Sequence, residues 1–235
     1  MASFIHEIYL SLSGEGITTG IPTVFVRLAG CSLRCGSTKD GRKLWCDTGY
    51  ALSPKSGEPL SQKEIIAKIN ELVPKNGAQI LITGGEPLEG ENRLTTTQLC
   101  NEYATICLDR NHPYPRIETN GAEPIKNLSN MVFTLDYKLP GSGMEEKMCL
   151  ENLTILRERK NPFDELKFVV RDRFDFDRSI HIVHKFNPDC HILFSPVSGE
   201  LQPEDLAEWI KNESIPKARL SLQIHKILWG DKKGV

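Results

Sequence analysis

Segments with the pattern of a β-strand alternate with segments with the pattern of an α-helix from residue 23 to the end of this chain. The strand segments are short and rich in β-branched residues, as in "TVFVRLAG" at 23–30, whereas the helix segments carry apolar residues three and four positions apart. This order predicts βαβ units and a parallel sheet, and therefore an α/β fold. Because crossovers between parallel strands are right-handed, an open doubly wound sheet and a curved barrel are the two candidate architectures.

The predicted elements can be assigned to ranges of the sequence. The first helix has the sequence of a capping box, with Ser61 before its first turn and Glu64 three residues later. Residues 36–60 form one long loop-like segment, which is more typical of a functional loop than of a packing element. Strands are expected at 23–30, 78–85, 115–121, 131–138, 164–171, 191–197 and 218–226, and helices at 61–73, 95–110, 144–160, 174–186 and 203–213.

Length and composition limit the class of protein. A chain of 235 residues without linker, repeat or low-complexity segment predicts a single domain over residues 1–235. The net charge of -2 offers no basic surface for nucleic acid, and no apolar run approaches the roughly 20 residues of a membrane span. The N-terminus lacks the features of a signal peptide. We therefore expect a cytoplasmic protein that binds neither nucleic acid nor a membrane.

The seven cysteines fall into two groups. Cys100, Cys107, Cys149 and Cys190 are scattered through apolar segments, and we expect them to be small buried residues of a reduced protein. The other three stand together in "GCSLRCGSTKDGRKLWCDTGYA", residues 30–51, directly after the first predicted strand.

The clustered cysteines, Cys31, Cys35 and Cys46, allow three interpretations. A structural zinc site normally needs four ligands in two short pairs, and this loop has three thiols and no histidine, so zinc would need a distant fourth ligand. A redox disulfide would typically use Cys-x-x-Cys, which the loop lacks. An iron–sulfur cubane is saturated by four thiolates, and three would leave one iron open to bind a small molecule.

A second motif, "TGGEP" at 83–87, follows the next predicted strand. Its glycines would let a ligand approach the backbone, and Glu86 would add a carboxylate that can bind an amine. Taken alone, the motif is also compatible with an ordinary turn before Pro87. Because ligands collect at the carboxyl ends of strands in α/β folds, the cysteine loop and this turn are predicted to share one edge of the sheet.

The two motifs together resemble those of the radical S-adenosylmethionine (SAM) enzymes, which carry Cys-x-x-x-Cys-x-x-aromatic-Cys after the first strand and GGEP after the next. The resemblance implies an α/β fold of the partial (β/α) barrel type with about six βα units. It also implies a 4Fe-4S cluster on Cys31, Cys35 and Cys46, with SAM on the open iron and a 5′-deoxyadenosyl radical formed on reduction. Ten residues, not the usual two, separate Cys35 from Cys46. We expect a tolerated loop there, because closure entropy grows only logarithmically with length.

Further motifs narrow the resemblance to the 7-carboxy-7-deazaguanine synthase family. "SLSGEG", "FVRLAGC", "CDT", "TGGEP", "ETNG", "DYKLPGSG" and "LQIHKILWG" occur in this order and span nearly the whole chain. The family resemblance implies a lyase of deazapurine and queuosine biosynthesis that converts 6-carboxy-5,6,7,8-tetrahydropterin to 7-carboxy-7-deazaguanine. Hydrogen would leave C6, the ring would contract, and ammonia would be lost. The family usually has Gln where this chain has Ser13.

The resemblance also implies a set of site residues. Arg27 suits a carboxylated substrate on chemical grounds as well, because a planar guanidinium can hold a carboxylate bidentately. Thr48 would be a ligand of Mg²⁺, and Gln223 and His225, in the predicted last strand, could face the site. The implied substrate residues are Leu12, Ser13, Gly14, Glu15, Arg27 and Thr83, and the implied SAM residues are Trp45, Cys46, Asp47, Gly84, Gly85, Glu86, Asp136, Tyr137, Lys138, Ser195 and Pro196.

Two other functions stay open at this point. A glycyl-radical activase would share the cysteine and GGEP motifs, although the SxxGEG and RxAGC flanks argue against it. A zinc-stabilised binding module would be a non-enzymatic alternative. The family resemblance further implies a homodimer and an electron donor such as flavodoxin, neither of which any pattern in the sequence shows.

Overall fold

The computed structural model describes residues 2–36, 45–104, 114–230, 232 and 234. A nine-stranded sheet forms its centre. The strands are β1 (Ala2–Leu12), β2 (Pro22–Leu28), β3 (Glu58–Ser61), β4 (Gln79–Gly84), β5 (Arg116–Thr119), β6 (Val132–Tyr137), β7 (Glu165–Val170), β8 (His191–Pro196) and β9 (Ala218–Leu220). The prediction of an α/β fold is confirmed.

The sheet is mostly parallel, with the strand order β3-β1-β2-β4-β5-β6-β7-β8-β9. From β2 onward along this order every neighbouring pair is parallel, whereas β1 pairs antiparallel with both β2 and β3. In the described part of the chain β3 and β9 do not pair with each other, so the sheet is not closed. The predicted partial (β/α) barrel is therefore confirmed.

Six α-helices are present in the described residues. They are α1 (Gln62–Leu72), α2 (Asn92–Ala104), α3 (Glu151–Arg159), α4 (Arg173–Phe186), α5 (Pro203–Lys211) and α6 (Ile224–Trp229). Helix α1 follows β3, and the other five follow parallel strands. The predicted capping box starts α1, since Ser61 Oγ accepts from Glu64 N–H and Ser61 N–H donates to Glu64 Oε2 at 2.7 Å. The twelve residues between β5 and β6 contain no helix.

The two faces of the strands differ in chemistry. Val26, Ile82 and Phe168 are fully buried and belong to one hydrophobic cluster with residues of the helices. Their sequence neighbours Arg27, Thr83 and Lys167 point the opposite way, because successive side chains of a strand alternate between faces. One face of the sheet thus builds the core with the helices, and the other, here called the interior face, carries charged and polar groups.

Two predicted elements are wrong in part. The helix expected at 144–160 is a 3-10 turn at Glu145–Lys147 followed by α3, because the backbone N–H of Cys149 donates to Gly121 O at 3.0 Å and interrupts the helical ladder. The strand expected at 218–226 ends at Leu220, and the chain then enters α6. The alternating apolar pattern of this segment continues past Leu220, the last residue paired with β8, so the pattern overestimates the length of the strand.

Other elements were not anticipated. β1 has no counterpart among the predicted strands, and β3 lies inside the segment expected to be all loop. Cys100 and Cys190 are buried as expected, whereas Cys149 is half-exposed. Cys107, the end of the helix predicted at 95–110, and most of the loop between Cys35 and Cys46 lie outside the described residues. No helix among the described residues has the length and apolar character to cross a membrane.

Candidate active site

The cysteine loop begins three residues after β2. Hydrogen bonds from Gly30 N–H to Ala51 O and from Cys31 N–H to Leu52 O hold its start against the segment that follows Cys46. Trp45 N–H donates to Cys35 O at 3.1 Å, which brings the two ends of the insertion together. The residue before Cys46 is therefore hydrogen-bonded to Cys35, despite the ten residues between the two cysteines.

All three thiols of this loop are free and half-buried. Burial raises the pKa of Cys31 to about 11, with a further contribution from Glu86. Burial also raises the pKa of Cys35, and Cys46, Asp136 and Lys138 lie close enough to act on the same thiol electrostatically. A bound metal centre would reverse this state, since metal ligation deprotonates thiols.

The donor set fits a cluster better than a single ion. No group of three or more His, Cys, Asp or Glu side chains in the described ranges is placed to hold one metal ion. The three thiols of this loop are one fewer than the four ligands that a structural zinc site normally takes. An iron–sulfur cluster spreads its thiolates over several irons, so three free, half-buried thiols around one loop suit it.

The GGEP turn packs its backbone directly against the cysteine loop. Glu86 N–H donates to Gly30 O at 2.7 Å and Gly85 N–H donates to Leu28 O at 2.9 Å. A Cβ on Gly85 would lie 2.0 Å from Gly30 O, and Gly84 has a φ of +152°. A side chain at 85 would collide with the backbone of Gly30, and a side chain at 84 would be strained at this φ. The two glycines therefore allow the turn to contact the cysteine loop.

Glu86 is used by the protein itself. Its side chain is 1% exposed and accepts from Leu88 N–H at 2.9 Å, from Thr119 Oγ1 at 2.7 Å and from Asn120 N–H at 2.7 Å. Burial raises its pKa to about 7. A carboxylate has room for one more hydrogen bond, so the contact with the SAM amine stays a prediction. The observed role of Glu86 is to join the turns after β4 and β5.

Asp136 and Lys138 lie near the cysteines, and Tyr137 does not face them. Lys138 Nζ is 2.6 Å from Asp136 Oδ2, and Asp136 Oδ1 is buried without a partner. The Tyr137 ring packs on Phe168 in the core, and its hydroxyl donates to Glu145 at 3.1 Å. The strand alternation separates the three residues, so Tyr137 could reach a cofactor only through its backbone.

The predicted substrate residues Arg27 and Thr83 are neighbours on the interior face, in register between β2 and β4. Arg27 Nε donates to Glu7 Oε1 at 2.6 Å, and its guanidinium lies 5.9 Å from the Tyr50 ring. Burial opposes the charge of Arg27, but Tyr50, Tyr9 and Glu7 more than compensate and raise its pKa. Arg27 is therefore a buried, permanently charged cation at the wall of the site.

Glu15 enters the interior face from the turn after β1. It forms an ion pair with Lys167 and accepts from Gln223 Nε2 at 2.6 Å. Burial opposes its ionisation, yet Lys167 and Gln223 hold the pKa of Glu15 below its ordinary value. Glu118 lies within electrostatic reach of both Lys167 and Glu15, and burial raises its pKa. Opposite charges thus alternate along the interior face.

The segment Leu12–Gly14 contributes backbone more than side chains. The Ser13 hydroxyl lies 3.1 Å from Thr18 Oγ1 and 3.2 Å from Glu15 O, so it bonds within its own turn. A Cβ on Gly14 would lie 2.2 Å from Nδ1 of His225, and Ile224 N–H donates to Gly14 O at 3.0 Å. The glycine therefore permits α6 to close over the end of β1.

The C-terminal residues reach the site from a helix, which corrects the predicted strand. Gln223 precedes the first turn of α6 and donates to Asp47 Oδ2 at 3.2 Å as well as to Glu15. Burial lowers the pKa of His225 against the pull of Glu15 and Asp47. Gln223 and His225 thus lie beside Glu15 and Asp47, and their role in the site stays a prediction.

The remaining predicted residues lie around this region. Thr48 Oγ1 is 3.4 Å from Cys46 Sγ, and Trp45 is 6.0 Å from the guanidinium of Arg171. Ser195 Oγ is buried without a partner on β8, and Pro196 ends that strand. An unpartnered buried hydroxyl is typical of a group that waits for a ligand or water, so the role of Ser195 stays a prediction.

Sequence reasoning missed charged side chains of the interior face, among them Glu7, Glu118 and Lys167, and it missed Asn120 in the turn after β5. A usable pattern was present, because "RIET" and "ELKF" place charged residues at every second position of short buried strands. Such alternation on a strand covered by helices predicts a second buried face that is polar.

The comparisons with known proteins agree with this geometry. Residues 12–136 match the family described as a 4Fe-4S single cluster domain. The chain is 60% identical over 98% of its length to the 7-carboxy-7-deazaguanine synthase of Leptospira interrogans, covering 97% of that protein. It is 34% identical to the enzyme of the same name from Clostridium acetobutylicum, with 98% of both chains covered.

A solved structure supports the fold. The crystal structure of QueE from Escherichia coli superposes with a TM-score of 0.66 at 23% sequence identity, covering 95% of this chain and 94% of that one. The family resemblance seen in the motifs is thereby confirmed, and the activase and zinc-module alternatives are not supported. The chain belongs to the 7-carboxy-7-deazaguanine synthase family of radical SAM, iron–sulfur enzymes.

Proposed function

We propose that this chain converts 6-carboxy-5,6,7,8-tetrahydropterin to 7-carboxy-7-deazaguanine with loss of ammonia. The observation that carries the proposal is that the cysteine loop and the charged interior face lie next to each other at one edge of the sheet. Cys31, Cys35 and Cys46 lie beside the GGEP turn, and a buried, charged interior face opens next to them. Family membership supplies the reaction class, and this surface supplies groups suited to a polar, carboxylated substrate.

The cofactor binds, in this proposal, at the cysteine edge. The three thiolates hold the cluster, which together with SAM supplies the radical that removes hydrogen from C6 of the substrate. Gly84 and Gly85 let the GGEP turn pack against the cysteine loop, and Asp136 offers a buried oxygen without a hydrogen-bond partner. An unsatisfied buried carboxylate oxygen is costly unless a ligand group donates to it, which supports a SAM contact for Asp136.

Substrate recognition falls to the interior face. Arg27 binds the substrate carboxylate with the part of its guanidinium that Glu7 does not engage. Glu15, held ionised by Lys167, accepts from the N–H groups of the pterin edge. Thr83 adds a hydroxyl beside Arg27. Leu12, Ser13 and Gly14 contribute through their backbone, because the Ser13 hydroxyl already bonds within its turn.

Magnesium is part of the proposal through Thr48. One hydroxyl is a small protein contribution, but Mg²⁺ commonly takes few protein ligands and completes its octahedron with water and substrate oxygens. Thr48 follows Cys46 by two residues and its Oγ1 is 3.4 Å from that sulfur. Thr48 would hold the cation close to Cys46, and the cation would supply positive charge for the carboxylate of the substrate.

We also propose a homodimer and a one-electron donor such as flavodoxin. Lys39, Arg42 and Lys43, in the insertion outside the described residues, give that loop a positive charge suited to an acidic donor. Neutralising these three should lower turnover with flavodoxin and leave turnover with dithionite unchanged. Equal loss with both reductants would refute a docking role. Sedimentation of the purified protein tests the dimer, and a monomer at all concentrations would exclude it.

The experiment that tests the function is anaerobic reconstitution with iron and sulfide, followed by incubation with SAM, dithionite, Mg²⁺ and the pterin. We expect a brown protein that forms the deazaguanine product in amounts proportional to enzyme. A colourless protein that retains one zinc would contradict the proposal, and so would a fully loaded cluster that cleaves SAM but leaves the pterin unchanged.

A further inference from the structure

The side-chain amide of Asn120 lies against one of the proposed cluster ligands. Asn120 Nδ2 is 3.5 Å from Sγ of Cys31, within the distance of a hydrogen bond to sulfur. The residue is 9% exposed and stands in the turn after β5. The sulfur and the amide come from segments 89 residues apart in the sequence, so the contact is made by the fold.

The orientation of this amide is fixed by its neighbours. Oδ1 of Asn120 accepts the backbone N–H of Ala122 at 2.9 Å. Since a backbone N–H can only donate, the oxygen must face Ala122 and the NH₂ group must face the sulfur. The backbone N–H of Asn120 donates in turn to Glu86 Oε2 at 2.7 Å. Glu86 thereby ties the Asn120 turn to the turn that packs on the cysteine loop.

We infer that Asn120 is a positioning residue that sets the reduction potential of the cluster through its hydrogen bond to Cys31. An N–H that donates to a ligand sulfur stabilises the reduced, more negative form of an iron–sulfur cluster, and so raises its potential. The inference rests on the proposed ligation of the cluster by Cys31. It goes beyond the proposed function because it concerns how easily the cluster takes up an electron.

A nearby amide offers a matched control. Asn92 Nδ2 donates to Ala29 O at 2.9 Å and to Glu86 O at 3.0 Å. Asn92 therefore connects the start of the cysteine loop with the GGEP turn, but through carbonyl groups and not through a sulfur. Replacing Asn92 should loosen the surroundings of the cluster to a similar extent without removing the bond to the Cys31 sulfur, which separates a redox role from a structural one.

Two substitutions of Asn120 test the inference. Asn120→Ser keeps a hydroxyl that can accept from Ala122 N–H, but its side chain is one bond shorter and cannot also reach the sulfur. Asn120→Asp keeps the acceptor and replaces the donor with a negatively charged oxygen. The measurement is the midpoint potential of the reconstituted cluster without SAM, from a redox titration followed by electron paramagnetic resonance, with iron content determined on the same samples.

We expect Asn120→Ser to reduce the ratio of reduced to oxidised cluster at a fixed potential about tenfold, equivalent to a potential lower by about 59 mV. Asn120→Asp should lower it further, and Asn92→Ser should leave it unchanged. A full cluster with an unaltered potential in both Asn120 variants would overturn the inference. An equal shift of the potential in Asn92→Ser would show a structural role and overturn the inference as well. So would loss of the cluster from both Asn120 variants while Asn92→Ser keeps it.

A separate variant tests the cluster ligation on which the inference rests. Cys31→Ala should lose the cluster, and a full cluster in that variant would remove both the ligand assignment and the inference built on it. Loss of the cluster in Cys31→Ala together with an unaltered potential in the Asn120 variants would overturn the inference alone.

Discussion

Arg27 donates from Nε to Oε1 of Glu7 at 2.6 Å, across the directly paired residues of two antiparallel strands. The bond fixes the plane of the guanidinium on the interior face, where Arg27 also neighbours Thr83 of β4. A cation oriented in advance loses little side-chain entropy when it binds an anion. If Arg27 binds the substrate as proposed, its bond to Glu7 orients the guanidinium before the carboxylate arrives.

The first prediction concerns this arginine. Arg27→Lys keeps the positive charge but loses the planar fork, and so should weaken substrate binding by on the order of 30- to 1000-fold, equivalent to about 2–4 kcal/mol. Titration calorimetry of the pterin with the reconstituted protein measures the effect. Arg173→Lys, at an exposed position on α4, is the matched control and should bind normally.

Iron content should stay at the wild-type level in Arg27→Lys, because Arg27 is not a thiolate. Normal substrate binding together with a lost cluster would instead make Arg27 a structural support of the cysteine loop.

The second prediction identifies a cluster ligand. Cys35→Ala should abolish the full iron content and the broad absorption near about 400 nm of a thiolate-ligated cluster. Cys149→Ser changes another half-buried, free thiol and should retain both properties. The check is iron and sulfide analysis of each reconstituted variant. Four irons and full activity in Cys35→Ala would show that another residue completes the ligand set.

The third prediction concerns the half-buried ion pair of Glu15 and Lys167. Lys167→Met leaves the Glu15 carboxylate without its cation and should lower the unfolding free energy, by less than the roughly 3–5 kcal/mol that breaking a fully buried pair costs. The double variant Glu15→Gln, Lys167→Met should lose less than the sum of the two single changes, because the partners interact directly. Chemical denaturation of all four proteins at neutral pH measures the coupling, and strict additivity would contradict it.

The same pair predicts a pH dependence. The folded-state pKa of Glu15 lies below its ordinary value of 4.5, so the unfolded chain takes up a proton first on acidification. The stability that the ionised carboxylate contributes is complete above about pH 4.5 and is lost as the pH falls through the folded-state pKa. Glu15→Gln should therefore lose less stability than the wild type over that range. Parallel acid unfolding curves for the two proteins would refute this account.

The fourth prediction concerns magnesium. Thr48→Ala removes the hydroxyl beside Cys46 and should reduce the stimulation of turnover by added Mg²⁺, while iron content stays unchanged. Thr97→Ala, which removes a hydroxyl that donates to Arg93 O on α2, is the control and should respond to Mg²⁺ like the wild type. An unaltered Mg²⁺ response in Thr48→Ala would exclude Thr48 as a ligand.

The sequence predicted the parts of the fold that local patterns determine. The capping box at Ser61 and Glu64 acts through bonds within a few residues, and it is as expected. The end of the last strand is a different case. Leu220 is the last residue with a ladder partner on β8, and no local pattern reports where a neighbouring strand ends.

In the site as well, the sequence shows the residues that stand in local motifs but not the distant partners that the fold brings to them. The cysteines and Glu86 stand in recognisable motifs, but the partners of Glu86 come from the turn after β5. Ser13 illustrates the limit, because its hydroxyl bonds to Thr18 five residues away and is not directed at a ligand. Lys167 was missed because its partner Glu15 is 152 residues distant, a separation that only the folded sheet brings together.

In the proposed reaction, a radical formed at the cysteine edge acts on a pterin held by the interior face. The most direct test uses 6-carboxytetrahydropterin carrying deuterium at C6, with the reconstituted protein, SAM, Mg²⁺ and dithionite under anaerobic conditions. Mass spectrometry of the products should find deuterium transferred from C6 of the pterin to 5′-deoxyadenosine, together with formation of 7-carboxy-7-deazaguanine. Deazaguanine product accompanied by unlabelled 5′-deoxyadenosine, or labelled 5′-deoxyadenosine without deazaguanine, would contradict the account.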